Sequence, residues 1–339
     1  MIKLLSPKNN SVVNVYTKIQ REFLRLIREQ GTNCALDFLA KTKCDKERSF
    51  PKYTTFCWQD NGSKKFTLKI SETLDFANFI KISTAKNCAR VGNLKIGTQY
   101  YWRVNNSEIY SFKTNDLGYR FIKINGAINV RDLGGKGIRQ GVVFRGSEIE
   151  EEFKLTKKGA SIFAKTLNVK SEISMREEVD KNHAWSRVCP SVRRARLPYR
   201  PYIEIFEEKR KQNLKDIFEF LENENNYPVY FHCKGGADRT GMLAIYLRAL
   251  AGETEDQIFT DYELTSLSTY GAVLDKMYGV IITETTGFRR RTDWYFVEFI
   301  NALKNTYKAQ TFNENIKLFL LDCGIKELTL EKVLKIIKA

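Results

Sequence analysis

The stretch Tyr230-Phe231-His232-Cys233-Lys234-Gly235-Gly236-Ala237-Asp238-Arg239-Thr240-Gly241 concentrates the side chains best suited to chemistry. It follows an apolar, β-prone run and opens a helical one, so Cys233 stands where a strand gives way to a helix. Gly235 and Gly236 let the backbone wrap tightly enough for several N–H groups to converge, and the positive end of the following helix, expected from Thr240, aims at the same place. Such a concavity binds a dianion. A thiol at its mouth is favoured as the thiolate, with pKa values of roughly 3.5–7.5 in comparable settings; Cys233 is therefore the candidate nucleophile. Arg239, separated from it by five residues, can return across the loop and present a planar fork to two oxygens, which Lys cannot do. Gly235, Gly236 and Ala237 furnish the amide wall. Thr240 can donate its hydroxyl to the cysteine sulfur and ease its departure in a second step.

These residues need a strand, a turn and a helix held in register, and the chain supplies them after residue 117. Strand-like YRFIKI (119–124) and YPVYF (227–231) alternate with helical patterns near Thr240, from Thr254 to Leu264, and through Leu334. That alternation predicts an α/β domain with a largely parallel central sheet. Residues 50–114 read differently: TTFCW, KKFTLKI, NFIKIS, QYYWRV and EIYSFKT are short, aromatic or β-branched, and separated by turn residues, the pattern of a β-sandwich. Before them, Thr17-Lys18-Ile19-Gln20 fits a capping box, and Ile19, Phe23, Leu26 and Ile27 recur at helical spacing until Gly31. The expected division is 1–116 for the sandwich with its inserted helix and 117–339 for the α/β domain.

Two resemblances follow from these motifs. Leu94-x-Ile96-x-Thr98-x-Tyr100, continued by Trp102 and Val104, resembles the tyrosine-corner strand of fibronectin type III domains. The fixed positions His232, Cys233, Gly236, Arg239 and Thr240 resemble the Cys-x5-Arg tyrosine phosphatases and their lipid-directed relatives. Asn129-Val130-Arg131-Asp132-Leu133-Gly134-Gly135, with Phe144-Arg145-Gly146-Ser147, is similar to the opening of the bacterial tyrosine and phosphoinositide phosphatases. Ile173-Ser174-Met175-Arg176-Glu177 stands where that subfamily has Asp-Leu-Arg, without its Asp. The resemblance implies a tyrosine-phosphatase-like domain that hydrolyses phosphate monoesters through a cysteinyl-phosphate intermediate. Arg131 and Asp132 are either a structural ion pair or substrate contacts.

The two-step mechanism needs an acid for the leaving oxygen and then a base for water. His232 precedes Cys233 on a strand, so its side chain faces away and braces the loop; His183 lies in a charged stretch. The segment 197–208, where many relatives keep the acid, has no Asp. Resemblance to the myotubularins makes Asp238 the first choice, with Glu204 and Asp132 in reserve; the alternative for Asp238 is to orient Arg239 or cap the helix. Lys234 matches the lysine that meets a second inositol phosphate in lipid phosphatases of the phosphatase-and-tensin type, although charge alone also explains it. Phosphotyrosine and phosphoinositide substrates stay open together, with inositol polyphosphates as a further alternative.

Composition bounds the rest. With 42% hydrophobic and 28% charged residues in 339, the chain is globular, and no apolar run approaches the roughly 18 residues of a spanning helix. The start, MIKLLSPKNN, lacks the apolar core of a secretion signal, which points to the cytoplasm, or to an extracytoplasmic place if a leader was trimmed. The net charge of +16 attracts polyanions. Arg193, Arg194, Arg196 and Arg200, and again Arg289, Arg290 and Arg291, are either anion-binding clusters or solvated faces. An anionic membrane surface fits that charge as a partner, while no nucleic-acid motif accompanies it. The seven cysteines show no C-x-x-C pair, so a zinc site, another metal or cofactor, or a disulfide framework is not expected. Two rival functions remain: a Cys–His hydrolase, which needs a histidine in reach of Cys233, and a phosphate-binding module without catalysis, which has no use for a thiolate.

Overall fold

The computed structural model describes residues 2–42, 46–60, 62–177, 184–270 and 293–338. His183, Cys44 and the Arg289–Arg291 cluster lie outside them. The chain forms two compact units, Met1–Lys18 with Pro51–Phe121, and Ile19–Phe50 with Ile122–Ala339. The division departs from the expected one chiefly at residues 19–50, which group with the second unit. Long-range hydrogen bonds inside that unit explain why: the Arg48 amide donates to the Leu267 carbonyl at 3.0 Å, and Glu47 accepts from Ser268 and Thr269.

The first unit contains β1 (Lys3–Ser6), β2 (Ser11–Val13), β3 (Thr54–Gln59), β4 (Phe66–Ser71), β5 (Phe79–Thr84), β6 (Cys88–Val91), β7 (Gln99–Val104), β8 (Tyr110–Thr114) and β9 (Arg120–Phe121). Two of its sheets run β1-β3-β6 and β2-β8-β7-β4-β5. Alternation decides which face is buried: Tyr100, Trp102 and Val104 of β7, and Thr54, Phe56 and Trp58 of β3, point inward. Phe56 meets Trp102 and Phe112 of the other sheet edge-on, at 5.2 and 5.6 Å between ring centres. The Tyr100 hydroxyl accepts from the Lys95 amide at 2.9 Å. β6 was not expected, because Cys88-Ala89-Arg90-Val91 carries little β-branched or aromatic signal.

The second unit begins with α1 (Lys18–Gln30) and α2 (Thr32–Lys41). Buried Gln20 donates to the Arg48 and Phe50 carbonyls, both at 2.8 Å, and closes this segment on itself. There follow β10 (Arg131–Asp132), β11 (Val143–Gly146), α3 (Lys157–Ser161), β12 (Ser171–Ser174), β13 (Arg193–Arg196), α4 (Glu208–Leu221), β14 (Val229–His232), α5 (Asp238–Leu250), α6 (Glu255–Glu263), α7 (Asp293–Tyr307), α8 (Phe312–Asp322) and α9 (Glu327–Ile337). The strands lie in the order β13-β12-β14-β11-β10. All neighbours are parallel except β10 and β11.

β11, β12 and β14 are buried at every position, as a parallel sheet covered on both faces must be. Successive residues of β14 serve opposite sides: Val229 and Phe231 join the core with Phe218, Met242 and Phe319, while Tyr230 joins the one with Val130, Phe144 and Phe163. Packed from both sides, β14 fixes where Cys233 begins. α5 is itself buried from Thr240 to Ala249, so the helix that follows the loop is the axis of the domain. Among the described residues no helix is long and apolar enough to cross a membrane.

Candidate active site

Cys233 follows the last residue of β14 and is buried. α5 opens at Asp238 with Ala237 as its N-cap, two residues earlier than Thr240, so Asp238 and Arg239 belong to its first turn. Between them every peptide carbonyl is turned outward. His232 Nδ1 contacts the Cys233 carbonyl at 2.9 Å, and the Glu148 amide donates to that of Lys234 at 2.9 Å. Asn129 Nδ2 donates to the carbonyls of Gly235 and Gly236 at 3.1 and 3.0 Å. Arg145 Nη2 donates to Gly236 as well, at 2.9 Å. A planar trans peptide sends the next N–H the opposite way, so the amides of Lys234, Gly235, Gly236 and Ala237 face the inner side of the loop. Gly236 has φ +68°, and a Cβ there would lie 2.4 Å from the Gly146 carbonyl; glycine alone fits.

The groups that hold those carbonyls are held in turn. Arg131 Nη1 donates to Asn129 Oδ1 at 2.5 Å, while its Nε and Nη2 reach Asp261 Oδ1 and the Asp261 carbonyl at 3.2 and 3.1 Å. Arg145 Nη1 donates to Asp261 Oδ2 at 2.7 Å, and Arg248 approaches Oδ1 at 3.4 Å while binding Glu253. Burial works to raise the Asp261 carboxyl, but Arg131, Arg248 and Arg145 outweigh it and hold the group well below the ordinary carboxylate range. Burial presses the Arg131 guanidinium down to about 9, which leaves it charged at neutral pH.

On the strand side, His232 Nε2 meets Glu172 Oε1 on β12 at 2.9 Å. Both ring nitrogens thus face oxygens that accept, and a neutral imidazole has only one N–H. The ring is thus held at both nitrogens, between the loop's first carbonyl and the neighbouring strand. Arg194 of β13 adds a guanidinium 3.5 Å from the same Glu172 oxygen.

The other candidates find varied places. Arg239, half-buried, donates from Nη1 to the Met175 carbonyl at 3.1 Å. Asp238 Oδ1 accepts from the Tyr202 hydroxyl at 2.7 Å, and that hydroxyl also meets Tyr262 at 2.7 Å. Burial, then the Asp238 charge, raises Tyr202 well above its ordinary value, so it stays a donor. Lys234 is exposed and paired with Glu152 at 2.9 Å. Thr240 is buried, and among the described residues its hydroxyl has no hydrogen-bond partner, the cysteine sulfur included. Asp132 accepts from the amides of Gly134 and Gly141 at 2.8 and 2.6 Å and braces that turn. Glu204 lies 4.0 Å from Arg200 on a 3-10 turn, half-exposed.

The basic cluster is committed internally: Arg193 to Asn226, Arg194 to Glu150 and Glu172, Arg196 to the Glu177 carbonyl and Arg200 to the Glu177 carboxylate. The run from Arg193 to Arg200, open between an anion-binding cluster and a solvated face, is thus paired within its own unit. Asn129 and Arg145 stood within recognised motifs without an assigned task. Asp261, Arg248, Glu172 and Tyr202 gave no local signal; only a charged residue inside the strand run Ser171-Glu172-Ile173-Ser174 hinted at a buried partner.

The sequence model of the tyrosine phosphatase family matches residues 122–315, more than half of the chain. No curated protein matches it. Among solved structures, the core catalytic domain of the PP-IP phosphatase SIW14 from S. cerevisiae, in complex with citrate, is similar at 19% identity, over 38% of this chain and 76% of that one, with a TM-score of 0.29. At that score the likeness carries no argument.

Asp261→Asn leaves buried Arg131 and Arg145 without their counter-charge and Arg248 with Glu253 alone, and breaking a buried ion network at one member costs about 3–5 kcal/mol. The depressed native pKa makes the Asp261 contribution complete above the unfolded value near 3.9 and lost as pH falls below it. Urea denaturation from pH 3 to 7 is expected to show a steep acid loss in the parent chain and a shallower one in D261N; parallel curves would remove Asp261 from this role.

Proposed function

Because the chain belongs to the tyrosine phosphatase family, we propose that it hydrolyses phosphate monoesters through a cysteinyl phosphate formed on Cys233. One observation carries the reading: the outward carbonyls of residues 233–236, each held by a named donor, leave a ring of amides for the phosphate oxygens. Burial lowers the Arg145 guanidinium from its ordinary value, and the Asp261 charge opposes that shift. Arg239 binds two phosphate oxygens with its fork, one edge of the guanidinium steadied by Met175.

In the first step the Cys233 sulfur attacks phosphorus, the P–O bond to the leaving group breaks, and Asp238 protonates the departing oxygen. Asp238 then takes a proton from water, the water oxygen attacks phosphorus, and the S–P bond breaks to release phosphate and the thiolate. The Tyr202 hydroxyl occupies one oxygen of Asp238 and leaves the other for that proton. A Cys–His hydrolase is disfavoured, since His232 is spent on Glu172 and the Cys233 carbonyl.

For the substrate, the phosphotyrosine reading has more support. Tyr270 covers Gly235 so closely that a Cβ there would lie 2.1 Å from its ring, and Phe153 packs edge-on to Tyr270 at 6.2 Å. An aromatic wall beside the phosphate loop suits an aryl ester. Lys234 speaks for a second phosphate, but Glu152 already occupies it. The first unit fits a fibronectin type III-like module, supported by its strand order and the Tyr100 corner, with docking or spacing as its role.

Asp238→Asn is expected to slow alkyl phosphates by ~10²–10⁴-fold, the usual worth of general acid catalysis, and activated aryl phosphates far less; equal slowing of both would take the acid role away from Asp238. At matched salt, kcat/KM for phosphotyrosine peptides should exceed that for phosphoinositides, with Lys234→Ala leaving the peptide rate nearly unchanged. The reverse order would establish the lipid reading.

A further inference from the structure

In the first unit two cysteines meet across one strand pair. Cys57 of β3 and Cys88 of β6 stand directly opposite each other in the antiparallel register. In the adjoining pair, the Trp58 amide donates to the Asn87 carbonyl at 3.0 Å, which makes Trp58 and Asn87 a hydrogen-bonded pair. Strand pairs alternate, so Cys57 and Cys88 form a non-hydrogen-bonded one, in which Cα atoms lie about 4.5 Å apart and side chains approach most closely. That spacing falls within the roughly 4.4–6.8 Å that disulfides span.

The two sulfurs also share a face. Phe56 and Trp58 on either side of Cys57 point into the core, which turns Cys57 to the outer surface, where Cys88 is exposed. Burial, and then the charge of Cys88, raises the Cys57 thiol; the second cause registers how near the two groups are. Both are free thiols in this structure.

We propose that Cys57 and Cys88 are a redox modification site, a cross-strand dithiol that closes to a disulfide on reaction with a low-molecular-weight disulfide such as oxidised glutathione. The exposed Cys88 thiolate attacks one glutathione sulfur, forming a mixed disulfide and releasing one glutathione thiolate. The Cys57 thiolate then attacks the Cys88 sulfur, the protein S–S bond forms, and the second glutathione thiolate leaves. Two electrons pass from the protein to the glutathione disulfide, and the two protons shed by the protein thiols end on the two glutathiones. The closed ring contains β4 and β5 and clips β6, the edge of its sheet, to β3.

The test uses the full chain carrying Cys233→Ser, so that the active-site thiol does not react. After incubation in glutathione disulfide, remaining thiols are alkylated, the chain is digested without reduction, and peptides are weighed. The expected product joins the Cys57 and Cys88 peptides with the loss of two hydrogens, while Cys34, exposed on α2, stops at the glutathione adduct. Cys88 retained as a glutathione adduct beside an alkylated Cys57, or either one linked to Cys34 instead, overturns the proposal.

Discussion

One buried carboxylate, Asp261, sets the shape of the loop from Cys233 to Asp238 without belonging to it. It gathers Arg131, Arg145 and Arg248, and two of these pass its position on: Arg131 through Asn129 to the carbonyls of Gly235 and Gly236, Arg145 directly to Gly236. Buried ion networks are weak sources of net stability, since desolvation offsets most of the Coulombic gain. What this one supplies is direction. Each carbonyl drawn outward commits the following amide to the inner side, and an anion site is built from amides whose orientation is settled before the anion arrives.

The sheet supplies the second anchor. Cys233 lies at the carboxyl end of a parallel strand buried on both faces, the place where open α/β sheets bind ligands. His232 ties the loop's first peptide to Glu172 on the neighbouring strand, and Arg194 extends that tie one strand further. The loop is thus gripped from the helix side by arginines and from the strand side by a histidine, while Tyr202 fixes the Asp238 carboxyl beside it. Rigidity here comes from polar contacts between elements far apart in sequence, laid over two apolar cores.

That separation also explains what could be read from the residues alone. The loop from His232 to Gly241 was legible because its constraints are local: a strand, two glycines, a helix start and an arginine at fixed spacing. The bracing role of His232 followed from strand alternation. Asp261 and Tyr202 were not legible, since each acts only after the chain has folded back and nothing in its neighbours marks the partner, and Glu172 was marked only by being a charge inside a strand run. The arginines of β13 misled for the same reason: a run that looks like a charged surface turns out to be shared among Glu150, Glu172, Glu177 and Asn226. Residues 19–27 have a clear helical period, yet period does not tell which core a helix will join, and Gln20, Glu47 and Arg48 decide that for residues 19–50 through long-range hydrogen bonds.

The most direct test of the central claim is to stop the reaction of the intact enzyme with an aryl phosphate in acid within its first turnover and weigh the peptides. A phosphate on the peptide bearing Cys233, formed in step with a burst of the phenol, is the predicted result. A phosphorylated histidine or carboxylate, or turnover with no covalent adduct at any time, would contradict it.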